Sequence, residues 1–411
     1  MRLVRIICLA LCGLGLLGTA RAQGRVSGVV QDSVSHEPLA FSSVFLAGTT
    51  LGATTDEQGR FEFPRVPKGA YDIVGSYVGY RLSKQHITVS STPQAVTLRL
   101  ASSGPQLTEV VVQANAHAAD DYRHFTELFL GRSGNSRECR ILNPGDVDVV
   151  YNDSTRQLKA QADNYLQVEN QALGYRIKYF GLRFDYDASD GATSFDGQPV
   201  FEEMTPKDDT QRRQWAAARA AAYNGSLTHF LKSVHDNRLK SEGFLAQQVR
   251  LVPNRRVVRA DTLRQRLLRR GAPFSDPEQD SLSRWAAVPA AFAVVQAGAR
   301  PIDSLRHVSA DKEHVYLRFT QQLQVAYFGE APDPKYDQPM SPLGYSRTKY
   351  PEQREVSRLL LLDPEVEILP SGDLADSQAV AVGEYWGFEK IGEFLPRNYE
   401  PPLRTGPPTP Q

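Results

Sequence analysis

Cysteine is scarce in this chain, and its placement limits how the fold can be stabilised. The 411 residues contain three cysteines, and two of them, Cys8 and Cys12, lie among the first 22 residues. If those residues are removed, Cys139 has no partner for an intrachain disulfide bond. Stability must then come from hydrophobic cores, and about 390 residues are enough for two or three domains.

An excess of charge of one sign is also lacking. The chain has 47 basic and 47 acidic residues, and losing Arg2, Arg5 and Arg21 with an N-terminal leader would leave a net charge of about −3. Such a balance does not steer a protein toward nucleic acid, so no nucleic-acid partner is expected.

Long apolar runs are absent too, since no stretch reaches the roughly 20 residues that a membrane-spanning helix needs. We therefore expect no transmembrane helix in the mature chain, although peripheral association with a membrane is compatible with this.

Motifs of nucleophilic catalysis are missing as well. The sequence has no Gly-x-Ser-x-Gly elbow and no phosphate-binding glycine loop, and Cys139 has no histidine near it in the sequence. No cofactor is expected from these residues.

The first 22 residues have the pattern of a secretion signal. Arg2 and Arg5 precede an apolar run from Ile6 to Leu17, and Ala20-Arg21-Ala22 fits the small-x-small rule for signal peptidase. We expect cleavage before Gln23, so the protein is predicted to be exported and to reside in the periplasm or at the outer membrane.

Seven short stretches of alternating residues between positions 25 and 100 predict an antiparallel β-sandwich. The Asp56 to Gly59 segment is a hairpin signal, because Asp can bond its own backbone and Gly can adopt positive φ. The predicted strands lie at Arg25–Val30, Phe41–Leu46, Ala53–Asp56, Phe61–Phe63, Tyr71–Tyr77, Gln85–Val89 and Val96–Leu100.

The same residues carry a family resemblance. Glu37-Pro38-Leu39, Thr54-Thr55-Asp56 followed by Gly59-Arg60-Phe61, and Val78-Gly79-Tyr80 resemble the carboxypeptidase-regulatory-like domain common in Bacteroidetes. The resemblance implies a transthyretin-like (prealbumin-like) seven-stranded sandwich that acts as an accessory module and carries no catalytic residues.

The segment that follows this module is Leu107-Thr108-Glu109-Val110-Val111-Val112. It is similar to the segment that connects the same module to the plug of TonB-dependent receptors, but the remaining residues are too few for a receptor barrel. It is interpreted either as a linker strand or as a strand that pairs with the sheet edge of another envelope protein.

The rest of the chain mixes predicted strands and helices, which indicates an α+β domain. Strand patterns fill residues 139–204, a helix is predicted at Thr210–Ala222, and Ser226 is placed to cap a second helix. Together with Tyr385-Trp386-Gly387-Phe388, this region is similar to the uncharacterised companion domain of stand-alone Bacteroidetes proteins with the same front module. The predicted organisation is a signal peptide at 1–22, a sandwich at 23–103, a linker at 104–124, an α+β domain at 125–395 and a Pro-rich tail at 396–411.

Three sets of residues are candidates for a site. His124 and Glu127 have the His-x-x-Glu spacing of a zinc carboxypeptidase, and His235 lies where a third ligand would be expected. The alternative is an ordinary pair of residues near the start of a helix.

The second candidate is a calcium loop. Asp185, Asp187, Ser189 and Asp196 place oxygen ligands near Gly191, as in an EF-hand loop. However, the glycine is one position late and the last ligand is Asp rather than Glu, so an acidic hairpin is the alternative.

The third candidate is a run of arginines that could contact anionic head groups, and the alternative, a solvated helix face, is much the commoner arrangement. Its members are Arg255, Arg256, Arg259, Arg264, Arg266, Arg269 and Arg270.

The function predicted from these patterns is that of a non-catalytic exported cell-envelope protein, a binding or accessory module for an outer-membrane protein or a glycan. The alternative is a metal-dependent, peptidase-like hydrolase with its site in the α+β domain.

Overall fold

The structure is a computed structural model. It describes residues 23–103, 118–255, 275–286, 291–336 and 354–402, except positions 163 and 190, and some helical positions between 257 and 269. The chain divides into two compact units, one of residues 1–47 and 51–108 and the other of residues 48–50 and 109–411.

The first unit is a β-sandwich. Its strands are β1 (Gln23–Asp32), β2 (Ser43–Leu46), β3 (Gly52–Thr54), β4 (Arg60–Pro67), β5 (Gly69–Ser76), β6 (Ser83–Val89) and β7 (Gln94–Leu100). They form a three-stranded sheet in the order β4-β1-β7 and a four-stranded sheet in the order β3-β2-β5-β6. Alternate residues of both sheets, such as Val26, Phe63 and Ile73, are buried in a shared core.

One strand pairing differs from the antiparallel prediction. Strand β7 runs parallel to β1, with Val26 opposite Gln94 and Asp32 opposite Leu100. Alternation along a strand shows which residues are buried but not which way its neighbour runs, so the sequence pattern could not reveal this pairing.

The second unit begins with a helix and a six-stranded sheet. The elements are α1 (Ala118–Leu130), β8 (Cys139–Ile141), β9 (Val147–Asn152), β10 (Gln157–Ala162), β11 (Tyr165–Asn170), β12 (Tyr175–Asp187) and β13 (Ala192–Glu203). The first half of the long strand β12 pairs with β11 and its second half with β10, and the register of β12 against β13 shifts between Phe180 and Arg183. Phe125 and Phe129 of α1 are fully buried against this sheet.

Two helices follow, and side chains cap both of them. They are α2 (Asp209–Tyr223), whose N-cap Asp208 accepts a hydrogen bond from the Gln211 amide, and α3 (Leu227–His235). Ser226 caps α3 through the His229 amide, as predicted from the sequence.

The remaining elements form a second core. A five-stranded sheet has the order β15-β14-β18-β19-β21, and a three-stranded sheet has the order β16-β17-β20. Phe230 and Val234 of α3 are buried against the larger sheet together with Trp386. The bounds are β14 (Phe244–Pro253), α4 (Asp276–Ala286), β15 (Ala291–Val295), β16 (Arg306–Val308), β17 (Val315–Leu317), β18 (Gln322–Tyr327), β19 (Glu355–Leu361), β20 (Val366–Ile368), β21 (Val380–Glu384) and α5 (Tyr385–Phe388).

Two predicted boundaries differ from the structure. Helix α1 begins at Ala118, inside the segment 104–124 assigned to a linker, whose residues 113–124 the sequence also allowed as the start of a helix running through Glu127 to Leu130. The Pro-rich tail predicted at 396–411 begins with packed residues, since Pro396 is buried and Arg397 forms an ion pair of 2.9 Å with Asp373. The α+β character predicted for the second region is confirmed.

Candidate functional site

The metal ligands suggested by the sequence are not brought together. Among the described residues, the potential ligand atoms of three His, Cys, Asp or Glu side chains lie within 4.8 Å of one another only at Asp311, Glu313 and His314, all of them exposed. His124 instead contacts the ring of Tyr186, with centroids 5.2 Å apart, and His235 Nδ1 lies 2.8 Å from Asp236 Oδ1.

The predicted calcium loop is a β-hairpin. Strands β12 and β13 pair directly, so Asp185 faces Ser194 and Asp187 faces Ala192 across the ladder. The Asp187 carboxylate accepts hydrogen bonds from Ser189 N at 2.8 Å and Ser189 Oγ at 2.5 Å, and these bonds lower its pKa. The carboxylate oxygens of Asp187 stabilise the turn. Asp185 and Asp196 do not join Asp187 in a group of three potential metal ligands.

The arginine run lies only partly within the described residues. Arg255, Arg264, Arg266 and Arg269 are exposed, whereas Arg256, Arg259 and Arg270 lie outside the described part of the chain. The segment 107–112 also lies outside it. The four exposed arginines fit a solvated helix face.

A different feature appears at one end of the sandwich, which we call the loop end and define as residues 33–42, 55–59 and 77–82. The strand register brings these three loops to the same end. Strand β1 ends there beside the end of β7, β4 begins there, and Ser43 at the start of β2 faces Ser76 at the end of β5.

The loop end exposes bulky apolar side chains. Val34, Phe41 and Val78 are 86%, 69% and 88% exposed. Val34 and Phe41 lie in the loop of residues 33–42, and Val78 lies in the loop of residues 77–82. Exposed apolar residues are ordinary when scattered, but three at the same end of a small domain make this end a candidate interaction surface.

Hydrogen bonds hold these loops in place. The Asp32 carboxylate accepts bonds from Val34 N at 2.7 Å and Ser35 N at 2.8 Å, and these bonds, together with one from Tyr80, lower its pKa. The Thr55 hydroxyl accepts from Ser42 N at 2.8 Å and donates to Leu39 O at 2.8 Å. Loops ordered in this way lose little conformational entropy when a partner binds.

Phe41 has an unfavourable backbone conformation as well as an exposed ring. Its φ is +58°, a region that bulky residues rarely adopt. Backbone strain of this kind costs about 1–3 kcal/mol and is concentrated at functional positions. The sequence pattern predicts a strand from Phe41 to Leu46, but in the structure the strand begins at Ser43 and Phe41 belongs to the preceding turn.

A second unusual site lies in the second unit, where four glutamates interact; we call Glu330, Glu355, Glu389 and Glu393 the carboxylate cluster. Glu355 is the first residue of β19 and is 4% exposed. Burial and the nearby charges of Glu389 and Glu330 raise its pKa to about 10. Burial, together with Glu393 and Glu330, likewise raises the pKa of Glu389 well above its ordinary range.

Polar groups connect this cluster to the surrounding chain. The Tyr385 hydroxyl donates to Glu355 and accepts from Asp333 N at 3.1 Å. The Glu393 carboxylate accepts from the Ser133 hydroxyl and, at 2.8 Å, from Asn135 Nδ2. Burial still raises the pKa of Glu393 above its ordinary value, and these two bonds partly oppose that effect.

The cluster can therefore hold protons at neutral pH, which is unusual for carboxyl groups. Its glutamates are absent from the three-ligand group found among the described residues, so they form no ready metal site. Sequence analysis missed the cluster, although Glu389 and Glu393 lie four residues apart beside the Tyr385–Phe388 motif. Burial, which makes them unusual, cannot be read from that spacing.

Comparison with known proteins identifies the front module. Residues 26–112 match the sequence model of the family described as CarboxypepD_reg-like domain. No curated protein sequence matches the chain significantly. None of the helices among the described residues has the length and apolar character needed to cross a membrane.

Solved structures give only weak likenesses. Catechol 1,2-dioxygenase from Acinetobacter sp. is 10% identical with a TM-score of 0.18, over 21% of this chain and 55% of that one. A candidate carbohydrate-binding protein from Pseudomonas aeruginosa is 21% identical with a TM-score of 0.17, over 20% and 92%. A candidate membrane-associated protein of unknown function from Bacteroides fragilis is 11% identical with a TM-score of 0.17, over 84% and 94%. The chain thus spans about half of the dioxygenase, and scores this low establish no shared fold.

Proposed function

We propose that this chain is a non-catalytic, exported cell-envelope protein that binds a partner through the loop end of its front module. The observation that carries the proposal is the exposure of Val34, Phe41 and Val78 on loops held by hydrogen bonds. The match of residues 26–112 to the CarboxypepD_reg-like family supports it, because the resemblance to this family implies an accessory module of envelope proteins.

The chemistry of the loop end favours a protein partner over a glycan. Large apolar side chains gain binding free energy by leaving water, and they dominate the centres of protein interfaces. An outer-membrane protein is therefore the proposed partner, and a glycan is the outcome that the test below must exclude.

The same proposal includes the finer features expected from the sequence. Residues 1–22 act as a signal peptide, the protein resides in the periplasm or at the outer membrane, and the module has a transthyretin-like strand arrangement. The second unit is the companion domain found beside such modules in Bacteroidetes.

Capture of partners from the organism's own detergent-solubilised envelope tests the proposal. The bait is the mature chain from Gln23 to Gln411, compared with a V34S/V78S variant and with Phe41→Asn. Asn tolerates positive φ better than Phe, so Phe41→Asn should bind less while keeping or raising the melting temperature. That combination separates lost binding from lost folding.

Leu362→Ser is the matched control, because Leu362 is 60% exposed but belongs to the second unit. We expect the wild type and this control to capture the same protein and both loop-end variants to lose it. Equal capture by all four chains would refute the loop end as the binding surface. Captured material that resists protease would identify a glycan and contradict the protein partner.

A second candidate is a hydrolase with its site in the second unit, favoured only by the carboxylate cluster. A general acid must hold a proton near the working pH, and the pKa of Glu355, raised to about 10, provides that. The test is turnover of nitrophenyl esters, nitrophenyl glycosides and casein by the wild type and by Glu355→Gln. Turnover that Glu355→Gln abolishes would support this candidate, whereas equal turnover, or none, would eliminate it.

A further inference from the structure

Residues 330–336 follow strand β18 without forming a helix or strand of their own, and we call them the strap. Asp333 holds the strap to the rest of the second unit. Its amide donates to the Tyr385 hydroxyl at 3.1 Å, and its Oδ2 accepts from the Gly134 amide at 2.8 Å. The ring of Tyr336 packs edge-on against that of Tyr385, with centroids 5.1 Å apart. Asp333 and Tyr336 thus both dock the strap on Tyr385.

The strap brings two acidic residues to the carboxylate cluster. Glu330 is itself a member of the cluster, and its charge helps to raise the pKa of Glu355 and of Glu389. The charge of Asp333 acts on the pKa of Glu393 in the same direction. The docked strap therefore adds negative charge to a region that is already acidic.

Basic groups do not balance these acids. Among the described residues, no basic side chain forms an ion pair with Glu355, Glu389 or Glu393. Lys390 lies between two of them in the sequence, but its Nζ donates to Thr193 Oγ1 at 2.9 Å. Glu355 is 4% exposed, and its Oε2 has no hydrogen-bond partner in the described part of the chain. Buried carboxyls without a cation beside them keep their protons, because an unpaired charge is poorly solvated there.

We propose that the strap is a pH-sensitive element, which stays docked while the carboxylate cluster holds its protons and is released when those protons leave. Ionised glutamates of the cluster would repel Glu330 and Asp333, and release would move these two acids into water and uncover the ring of Tyr385. The titratable and charged groups at this place come from the strap, from β19, from α5 and the turn after it, and from the start of β8. They are Glu330, Asp333, Lys335, Tyr336, Glu355, Tyr385, Glu389, Lys390, Glu393, Glu138 and Cys139.

The direction of the pH dependence follows from the number of protons bound. Burial and nearby acids raise the pKa of Glu355 to about 10 in the docked state, whereas its ordinary value is 4.5. The docked state therefore binds more protons between these values, so a rise in pH favours release. For each proton that leaves, the ratio of released to docked strap should rise about tenfold per pH unit.

Digestion with a lysine-specific protease tests the proposal, because the exposed Lys335 lies within the strap. Mass spectrometry gives the rate of cutting after Lys335, which is divided by the rate on a synthetic peptide of residues 329–341 to remove the pH dependence of the protease. This relative rate follows the released fraction when docking is faster than cutting. In the wild type it should rise about tenfold or more per pH unit between about pH 6.5 and 8.5.

Glutamine variants show whether the cluster causes this slope. E355Q/E389Q cannot release these two protons, so its relative rate should be at least about tenfold lower at pH 8.5 and should rise less steeply. Glu169→Gln is the matched control, because Glu169 is also buried but forms ion pairs with Arg140 and Arg176 in the six-stranded sheet. It should keep the wild-type slope.

Cutting after Lys178, which lies within strand β12, reports unfolding of the whole second unit in the same digest. Equal relative rates after Lys335 and Lys178 would show that the strap leaves only on that unfolding, and would overturn the proposal. A relative rate after Lys335 that does not change with pH would overturn it as well. The same holds if E355Q/E389Q keeps the wild-type slope.

Discussion

The carboxyl group of Glu355 lies directly against the backbone of Gly225. A Cβ atom at position 225 would be 2.0 Å from Glu355 Oε2 and 2.9 Å from Tyr327 Cδ1, and Gly225 has a φ of +78°. The Gly225 amide also donates to His229 Nδ1 at 3.2 Å, and its carbonyl accepts from Trp386 Nε1 at 2.8 Å. This glycine thus links α3, β19 and α5.

Substituting this glycine should be costly. Gly225→Ala combines backbone strain with a clash against two buried side chains, so we expect it to lower the free energy of unfolding by about 3 kcal/mol. Gly298→Ala is the matched control, since Gly298 has a φ of +92° but no atom within 4 Å of a Cβ there. It should cost only about 1 kcal/mol. If chemical denaturation shows that Gly225→Ala and Gly298→Ala lower the free energy of unfolding equally, the packing of Gly225 against Glu355 is not tight.

The raised pKa of Glu355 should make the protein less stable as pH rises. The folded chain keeps this proton up to about pH 10, whereas the unfolded chain releases it near 4.5. Between these values the unfolded chain binds fewer protons, so the free energy of unfolding falls with pH. Glu355→Gln should reduce this slope, leaving the part that comes from Glu389 and Glu393, and stabilise the protein at pH 7.5 by up to about 4 kcal/mol. Denaturation at several pH values measures both effects.

Glu169 provides the opposite case and serves as the control. It is 2% exposed, and hydrogen bonds from Gln171, Arg140 and Arg176 lower its pKa. Glu169→Gln should therefore destabilise the protein at neutral pH, by about 2 kcal/mol, because charged hydrogen bonds are lost. The contribution of Glu169 is present at neutral pH and disappears as pH falls through its lowered pKa. If Glu355→Gln and Glu169→Gln change the free energy of unfolding in the same direction at neutral pH, the opposite pKa shifts inferred for these two glutamates are wrong.

Cys139 should be unreactive in the folded protein. Burial and the negative charges of Glu393 and Glu138 raise its pKa to about 12. At pH 8 the thiolate fraction is then on the order of one in ten thousand, far below that of an ordinary thiol. A chromogenic disulfide reagent should label it slowly in buffer and at once in guanidinium. Labelling in buffer at the rate of glutathione would contradict the burial of this thiol.

Calcium should not stabilise the protein through the β12–β13 hairpin. Asp187 already accepts two bonds from Ser189 and one from Gln157 at 3.2 Å. Asp187→Ala should lower the melting temperature slightly because those bonds are lost, and by the same amount with or without calcium. The melting temperature in millimolar calcium and in chelator checks this, and a rise that requires Asp187 would restore the calcium site.

Local patterns predicted the parts of the fold that depend on neighbouring residues. Alternation at Phe61 and Phe63 marked strand β4, and Ser226 marked the start of α3, because side-chain periodicity and capping act within a few residues. The candidate sites were harder to predict. His124, Glu127 and His235 have suitable spacing, but spacing along a chain does not make side chains converge in space.

The sequence by itself determined the sandwich strands, the mixed character of the second unit and the match of residues 26–112 to the CarboxypepD_reg-like family. Only the tertiary structure decided that β7 runs parallel to β1, that Phe41 is an exposed residue with a strained backbone, and that Glu355 is buried beside other carboxyls. The physical reason is that strand direction, exposure and pKa depend on atoms brought together from distant parts of the chain. Glu355 and Gly225 are 130 positions apart, and no local pattern relates them.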